Sequence, residues 1–329
     1  MQVVFPDDWN STFEHAPEIA ALRRRAEVIT HRVRPDDLVG ALKDADVAVA
    51  VRERTRFDAP LLAGMPNLKL IVSVGGRDNP SIDKQTAMGQ GVLVCFTSGA
   101  IPAAAGGGGG NPSMIELTIG MMISAMRQFA EQDRALRAGE WPGPKGRVLY
   151  GKTLGIVGLG RLGTGVAKAA QFFGMRVIAA GLTLTPQRAA EAGAEFRSLE
   201  SLFSESDVIS IHLKLSDKTR GLIDRSLLGR MKSDAILVNT ARGPIVNEDD
   251  LVSALQSGSI GGAALDVYDA EPLPASHPLR TTERTLLLAH CGWPTDDAYA
   301  RMIPETAAVI EAFLDGTPIN VENPAIVAS

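Results

Sequence analysis

Residues 151–181 read GKTLGIVGLGRLGTGVAKAAQFFGMRVIAAG, and the fold is decided in this stretch. The apolar run Leu154–Val157 entering a turn at Gly158 has the composition of a buried parallel strand. Gly158, Gly160 and Gly163 then follow with G-x-G-x-x-G spacing. In a strand-to-helix turn those glycines serve a tight bend, close approach of backbone to a pyrophosphate, and close packing of helix on strand. A helix starting around Arg161 and Leu162 presents unpaired N–H groups and a positive dipole end to a phosphate. An amphipathic run over 166–173, Gly174 and a second strand over Arg176–Ala180 complete the unit. Glycine triplets also occur in purely structural turns; the flanking strand and helix are what favour a dinucleotide site.

Such a second strand usually ends in a carboxylate that binds the adenosine ribose, about 20 residues on. Gly181 stands there, and GLTLTPQR contains no acid. Without that carboxylate nothing repels a 2′-phosphate, and Thr183, Thr185 or Arg188 can contact one, so the cofactor is expected to be NAD or NADP with neither selected.

Working outward, residues 1–100 alternate strands (Val3–Phe5, Val28–Thr30, Val47–Val51, Leu68–Val74, Val92–Cys95) with helices (Glu18–Arg25, Pro35–Lys43, Asp58–Gly64, Ile82–Gly89). That alternation implies a parallel sheet. Ligands of open α/β sheets bind beyond the carboxyl ends of strands, which singles out Val74, Gly75 and Gly76 as a cradle for a small anion such as a carboxylate, or as a plain turn. The stretch SGAIPAAAGGGGGNPS, residues 98–113, holds Gly106–Gly110 and is expected to be a loop or hinge. One long helix is expected from Ser113 to about Gly139. Beyond Gly181 strands are expected at Val208–His212, Ala235–Thr240, Ala263–Val267 and Leu286–Ala289, and a last helix at about Thr295–Leu314. The expected fold is α/β with two doubly wound domains: residues 1–103 and 300–329 form one, residues 104–299 the nucleotide-binding one. Paired crossings between them would let a cleft close on ligand.

Composition narrows the function. At 329 residues with net charge −5, the chain has no basic face for nucleic acid or anionic membrane. The two cysteines, Cys95 and Cys291, fit neither a disulfide framework nor a zinc site, so no metal and a cytoplasmic setting are expected. MQVVFPDDW lacks the features of a signal peptide, and no apolar run is long enough to span a membrane.

Three polar residues follow predicted strands of the second half: Arg242 in VNTARGPIVNE, Glu271 in ALDVYDAEPLP and His290 in LLLAHCGWPT. Singly they read as a capping arginine, an exposed turn and a satisfied histidine. Together, in this order with GLGRLG and GGRDNPSID, they resemble the D-isomer-specific 2-hydroxyacid dehydrogenase family over nearly the whole chain. The resemblance implies a Rossmann nucleotide-binding domain inserted in a flavodoxin-like substrate domain, and a homodimer joined around the helix that starts near Ser113. It also implies that Arg242 binds the substrate carboxylate and carbonyl, that His290 moves the proton, and that Glu271 hydrogen-bonds His290. A planar guanidinium suits a 2-oxo acid because it holds two oxygens at once. A free imidazole titrates at about pH 6.5, and a neighbouring carboxylate favours its charged form.

Further cofactor contacts implied by the resemblance are Asp266 (nicotinamide carboxamide), Thr240 and Ala241 (nicotinamide ribose side), His212, Leu213 and Thr219 (adenosine side), and Gly292. Asp266 can alternatively be a helix cap or loop anchor. Ala289 and Lys214 depart from prolines usual in the family. The expected activity is NAD(P)-dependent interconversion of a small 2-oxo acid and its D-2-hydroxy acid. The alternatives are a nucleotide-sensing corepressor of the C-terminal binding protein type, a formate dehydrogenase, or a phosphoglycerate dehydrogenase. Against the corepressor stands the absence of an added module, and against the last stands the chain's end at Ser329, which leaves no room for a regulatory domain.

Overall fold

The computed structural model describes residues 1–97, 112–143 and 146–324. The hinge expected from residue 98, with Gly106–Gly110, lies outside the described residues up to residue 111. The chain divides into two compact units, Met1–Ile101 with Pro294–Ser329, and Pro102–Trp293.

In the first unit β1 (Gln2–Phe5), α1 (Pro17–Leu22), β2 (Glu27–Thr30), α2 (Leu38–Leu42), β3 (Val47–Val51), α3 (Ala59–Ala63), β4 (Leu70–Val74), α4 (Lys84–Gly89) and β5 (Leu93–Phe96) follow one another. Helices α2, α3 and α4 each start on an aspartate, Asp37, Asp58 and Asp83, whose carboxylate accepts an amide of the first turn. The strands pair in parallel in the order β2-β1-β3-β4-β5. Every residue of β3 and β4 is buried, as expected of strands covered on both faces.

The second unit opens with α5 (Pro112–Arg127) and α6 (Phe129–Arg137). The single helix expected to about Gly139 is therefore two, broken at Gln128 with φ 55°. The apolar side chains that bind the segment to the sheet end at Met126, whereas α6 buries none. Then come β6 (Thr153–Val157), α7 (Arg161–Phe172), β7 (Arg176–Ala180), α8 (Pro186–Glu191), β8 (Glu195–Phe196), α9 (Leu199–Glu205), β9 (Val208–Ile211), α10 (Arg225–Leu228), β10 (Ile236–Asn239), α11 (Glu248–Gln256), β11 (Gly262–Leu265) and β12 (Thr285–Leu287). The parallel order β12-β11-β10-β9-β6-β7-β8 reverses direction between β6 and β9. Alternate strand residues feed separate cores: Val157, Ile209 and Leu237 pack with α9 to α11, while Leu154, Ile156 and Val238 pack with α5 and α7.

The last helix, α12 (Asp296–Leu314), belongs to the first unit, where it packs on α1, β4 and β5. Val321 bridges Cys95 in antiparallel sense and covers the edge strand β5. Among the described residues no helix is long and apolar enough to cross a membrane.

Candidate active site

The turn after β6 lies at the point where the sheet order reverses, the place where doubly wound sheets bind ligands. Gly158 has φ +98°, and a Cβ there would meet the His212 carbonyl oxygen at 2.7 Å. A Cβ on Gly163 would meet the Gly158 carbonyl oxygen at 2.3 Å, so α7 reaches the strand only because that side chain is missing. Gly160 differs: its φ is an ordinary −86°, and a Cβ would meet nothing within 4 Å. It is the N-cap of α7 and supplies no side-chain cap, so the first-turn amides beside exposed Arg161 and part-buried Leu162 keep their capacity for an anion. Open space at the second glycine and tight packing at the other two are what a pyrophosphate seat requires.

At the expected ribose end, Gly181 stands against Gly158, a Cβ on it coming within 3.7 Å of the Gly158 Cα. The Thr185 hydroxyl caps α8, and Arg188 Nη1 donates to the Thr183 carbonyl at 3.1 Å. Leu213 lies over the glycine turn, its Cδ2 within 2.8 Å of a Cβ built on Gly158. The ring of His212 pairs through Nε2 with the Ser210 hydroxyl at 2.9 Å, and enclosure pushes its pKa down to about 4, so it is neutral.

His290, Glu271 and Arg242 come together in the second unit. His290 lies in the loop past β12 with φ 53°, and its Nδ1–H donates to Glu271 Oε2 at 2.7 Å. The other oxygen of Glu271 accepts the Tyr268 amide at 3.0 Å. Burial pushes the Glu271 carboxyl up, but the hydrogen bond and charge of His290, the Tyr268 amide and the charge of Arg242 outweigh it and hold it below the usual range. Arg242 Nη1 donates to the Ala241 carbonyl at 2.6 Å, and Asn239 ties its backbone by donating to the Arg242 carbonyl at 3.0 Å. The Tyr268 hydroxyl donates to the Leu288 carbonyl at 2.7 Å, which joins the Glu271 loop to the segment leading to His290. Cys291 is no partner for this histidine as a nucleophile, since burial and the nearby Asp266 push its thiol up to about 11.

Several expected cofactor residues also make contacts within the protein. Asp266 is fully enclosed, and its carboxylate accepts the amides of Cys291 at 2.7 Å and Gly292 at 3.1 Å. It anchors the loop behind His290, the alternative left open from the sequence. Gly292 is likewise buried, a Cβ there meeting Met114 Sδ at 2.6 Å. The Thr240 hydroxyl pairs with Thr118 at 3.1 Å and ties the end of β10 to α5, and the Thr219 hydroxyl donates to the Lys214 carbonyl at 2.8 Å within its own loop. Ala241 remains partly exposed beside Arg242.

In the first unit Gly75 and Gly76, with φ 101° and 135°, follow Val74 at the tip of β4. The Gly75 amide donates to Thr97 Oγ1 at 2.9 Å, and its carbonyl accepts Arg52 Nη1 at 2.6 Å. The glycine requirement at Gly75 comes from its positive φ, and Arg52 Cδ also lies 2.4 Å from a Cβ built there.

Sequence reasoning missed Gly243 as a support. A Cβ on Gly243 would strike the Tyr268 carbonyl carbon at 2.0 Å, so the Arg242 turn and the Glu271 loop fit only around a glycine. The adjacent Arg-Gly pair was the available signal.

Comparison with known proteins gives the same picture. A family model described as D-isomer specific 2-hydroxyacid dehydrogenase, NAD binding domain, matches residues 119–292. The chain is 38% identical over 303 residues to a glyoxylate reductase of Aeropyrum pernix, covering 89% of this chain and 87% of that protein. It is 35% identical over 295 residues to a hydroxypyruvate reductase of Thermotoga maritima, covering 88% and 91%. A solved phosphoglycerate oxidoreductase from Vibrio cholerae superposes with a TM-score of 0.86 at 31% identity, covering 96% of this chain and 99% of that one.

Proposed function

Because the chain belongs to the D-isomer-specific 2-hydroxyacid dehydrogenase family, we propose that it reduces a small 2-oxo acid of the glyoxylate or hydroxypyruvate class to its D-2-hydroxy acid. The observation that carries this is the His290–Glu271 hydrogen bond of 2.7 Å formed within the field of Arg242. The dinucleotide is held by Gly158, Gly160, Gly163 and the first turn of α7 through Arg161 and Leu162, with Leu213 beside the turn. When bound, its nicotinamide supplies the hydride that the C2 carbon accepts.

The protein's own groups do the rest. Arg242 holds the substrate carboxylate and its carbonyl oxygen in one plane, a task suited to a forked, permanently charged donor. Glu271 occupies Nδ1, so the proton exchanged with the substrate oxygen is carried by Nε2 of His290. The Glu271 carboxylate stabilises the charged imidazole that must precede donation, and oxidation reverses the same proton path. Gly181 leaves the ribose end open to NAD or NADP; thermal-shift titration with NADH and NADPH decides between them.

Phe129, Leu136, Trp141 and Tyr150 on and beyond α6 are 49%, 52%, 91% and 78% exposed, and a second copy of this chain covers them in the homodimer we propose. Light scattering on Trp141→Lys then shows a monomer. Both cysteines are free thiols, in keeping with a cytoplasmic setting.

The test is oxidation of NADH or NADPH with a panel of 2-oxo acids, with turnover expected for the smallest members. Cofactor binding without turnover of any of them would replace this reading with the nucleotide-sensing corepressor.

A further inference from the structure

Beside the catalytic trio lies a second acid–imidazole pair with no place in the proton path. His277 Nε2 meets Glu248 Oε1 at 2.8 Å, with side chains only 17% and 18% exposed. His277 Nδ1 accepts the Leu279 amide at 3.3 Å, so the ring is fixed with its proton on Nε2, pointing at the carboxylate. The other oxygen of Glu248 accepts the Asp269 amide at 3.3 Å.

One carboxylate therefore grips the Glu271 loop on both sides of Glu271, at Asp269 before it and His277 after it. Glu248 itself starts α11, which Val246 and Asn247 link to the short 3-10 turn Gly243–Ile245 that follows Arg242. Gly243 already abuts Tyr268 and Asp269, and Arg280 closes the far end by donating to the carbonyls of Leu273 at 2.6 Å and Pro274 at 2.8 Å. The Glu248 side chain thus adds a second join between the segment carrying Arg242 and the loop carrying Glu271.

We propose that Glu248 and His277 are positioning residues that act through Glu271, holding its carboxylate on Nδ1 of His290. This rests on the reductase reading above. Neither residue touches substrate, so their loss lowers kcat and leaves KM and cofactor affinity near wild type. Small displacements of a catalytic group cost up to about 100-fold, and a loop still held by Tyr268 and Arg280 should lose about tenfold. His277→Gln keeps an N–H donor within reach of Glu248 and restores most of the rate that His277→Ala loses.

The deciding measurement is a cycle of kcat for wild type, Glu271→Ala, His277→Ala and the double variant, with thermal unfolding recorded for each. The expected result is that His277→Ala slows wild type about tenfold and adds nothing once Glu271 is gone. Equal slowing on both backgrounds, a rise in KM alone, or no rescue by His277→Gln overturns the proposal. A wild type inactive on every 2-oxo acid would instead overturn the reductase reading, so the two failures are distinct.

Discussion

Replacing Gly160 and Gly163 separately by alanine splits stability from cofactor binding. A Cβ on Gly163 lies 2.3 Å from the Gly158 carbonyl oxygen, about 1.1 Å short of the 3.4 Å where ordinary contact begins, and its neighbour is backbone that cannot rotate away. Overpacking of this kind costs about 1–3 kcal/mol. At about 2–4 °C per kcal/mol for a domain of this size, Gly163→Ala melts about 2–12 °C below wild type. Gly160→Ala meets nothing within 4 Å at φ −86°, so apart from the small cost of alanine at an N-cap its unfolding temperature stays close to wild type. The new methyl stands where the pyrophosphate must approach, and losing two amide bonds to a charged group removes at least the about 2.7 kcal/mol that equals a hundredfold in affinity. With NADH or NADPH at a hundred times the wild-type dissociation constant, ligand stabilisation falls from about 2.7 to about 0.4 kcal/mol. In a thermal-shift titration the wild-type rise of about 5–11 °C thus shrinks to about 1–2 °C. A Gly160→Ala protein that is as stable as wild type and keeps the full cofactor-induced shift would refute the assignment of this turn as the pyrophosphate seat.

Three more outcomes are expected. His290→Ala or Arg242→Ala lowers turnover by about 10²- to 10⁴-fold while unfolding temperature and cofactor-induced stabilisation stay near wild type, as steady-state kinetics beside thermal shift will show. Asp266→Asn sets an amide N–H₂ against the Cys291 or Gly292 amide, which costs about 1–3 kcal/mol and slows kcat by releasing the His290 loop; full activity would show that the anchor is dispensable. Asp7, buried and raised from 3.8 to about 6 chiefly by that burial, binds a proton more readily folded than unfolded, so its contribution is complete below about pH 4 and is lost as pH rises through about 6. Asp7→Asn should accordingly gain up to about 3 kcal/mol over wild type at pH 7, with no difference at pH 4, in denaturant titrations at the two pH values.

The strands were legible because parallel sheets buried on both faces leave short, nearly continuous apolar runs, and Val47–Val51 and Arg176–Ala180 match the observed β3 and β7 end to end. Expectation failed where tertiary packing overrides local pattern. Nothing in the polar run after Met126 says that Gln128 takes a left-handed conformation, because the cause is the end of the apolar face that α5 lays on the sheet. Helices α8 and α9 begin at ordinary start signals, Thr185-Pro186 and Ser198, but at six and seven residues they are too short for a helical apolar period to show in the sequence.

Within the site, reacting groups and their supports differ in how they can be read. Arg242, Glu271 and His290 are legible only together and in their order along the chain, since each alone reads as a cap, an exposed turn or a satisfied histidine. Asp266 and Glu271 are both acids at the end of the same strand, and composition does not say which one meets the imidazole. That division follows from the path of the loop: Gly243 lets the backbone at Tyr268 come close, Glu248 grips it at Asp269, and the chain then delivers the Glu271 carboxylate to Nδ1 while Asp266 is left inside to hold the amides of Cys291 and Gly292. The same residue type thus becomes a partner of the His290 imidazole or a buried strut according to where the backbone leaves it, and the glycine and glutamate that decide the outcome carry no chemistry of their own.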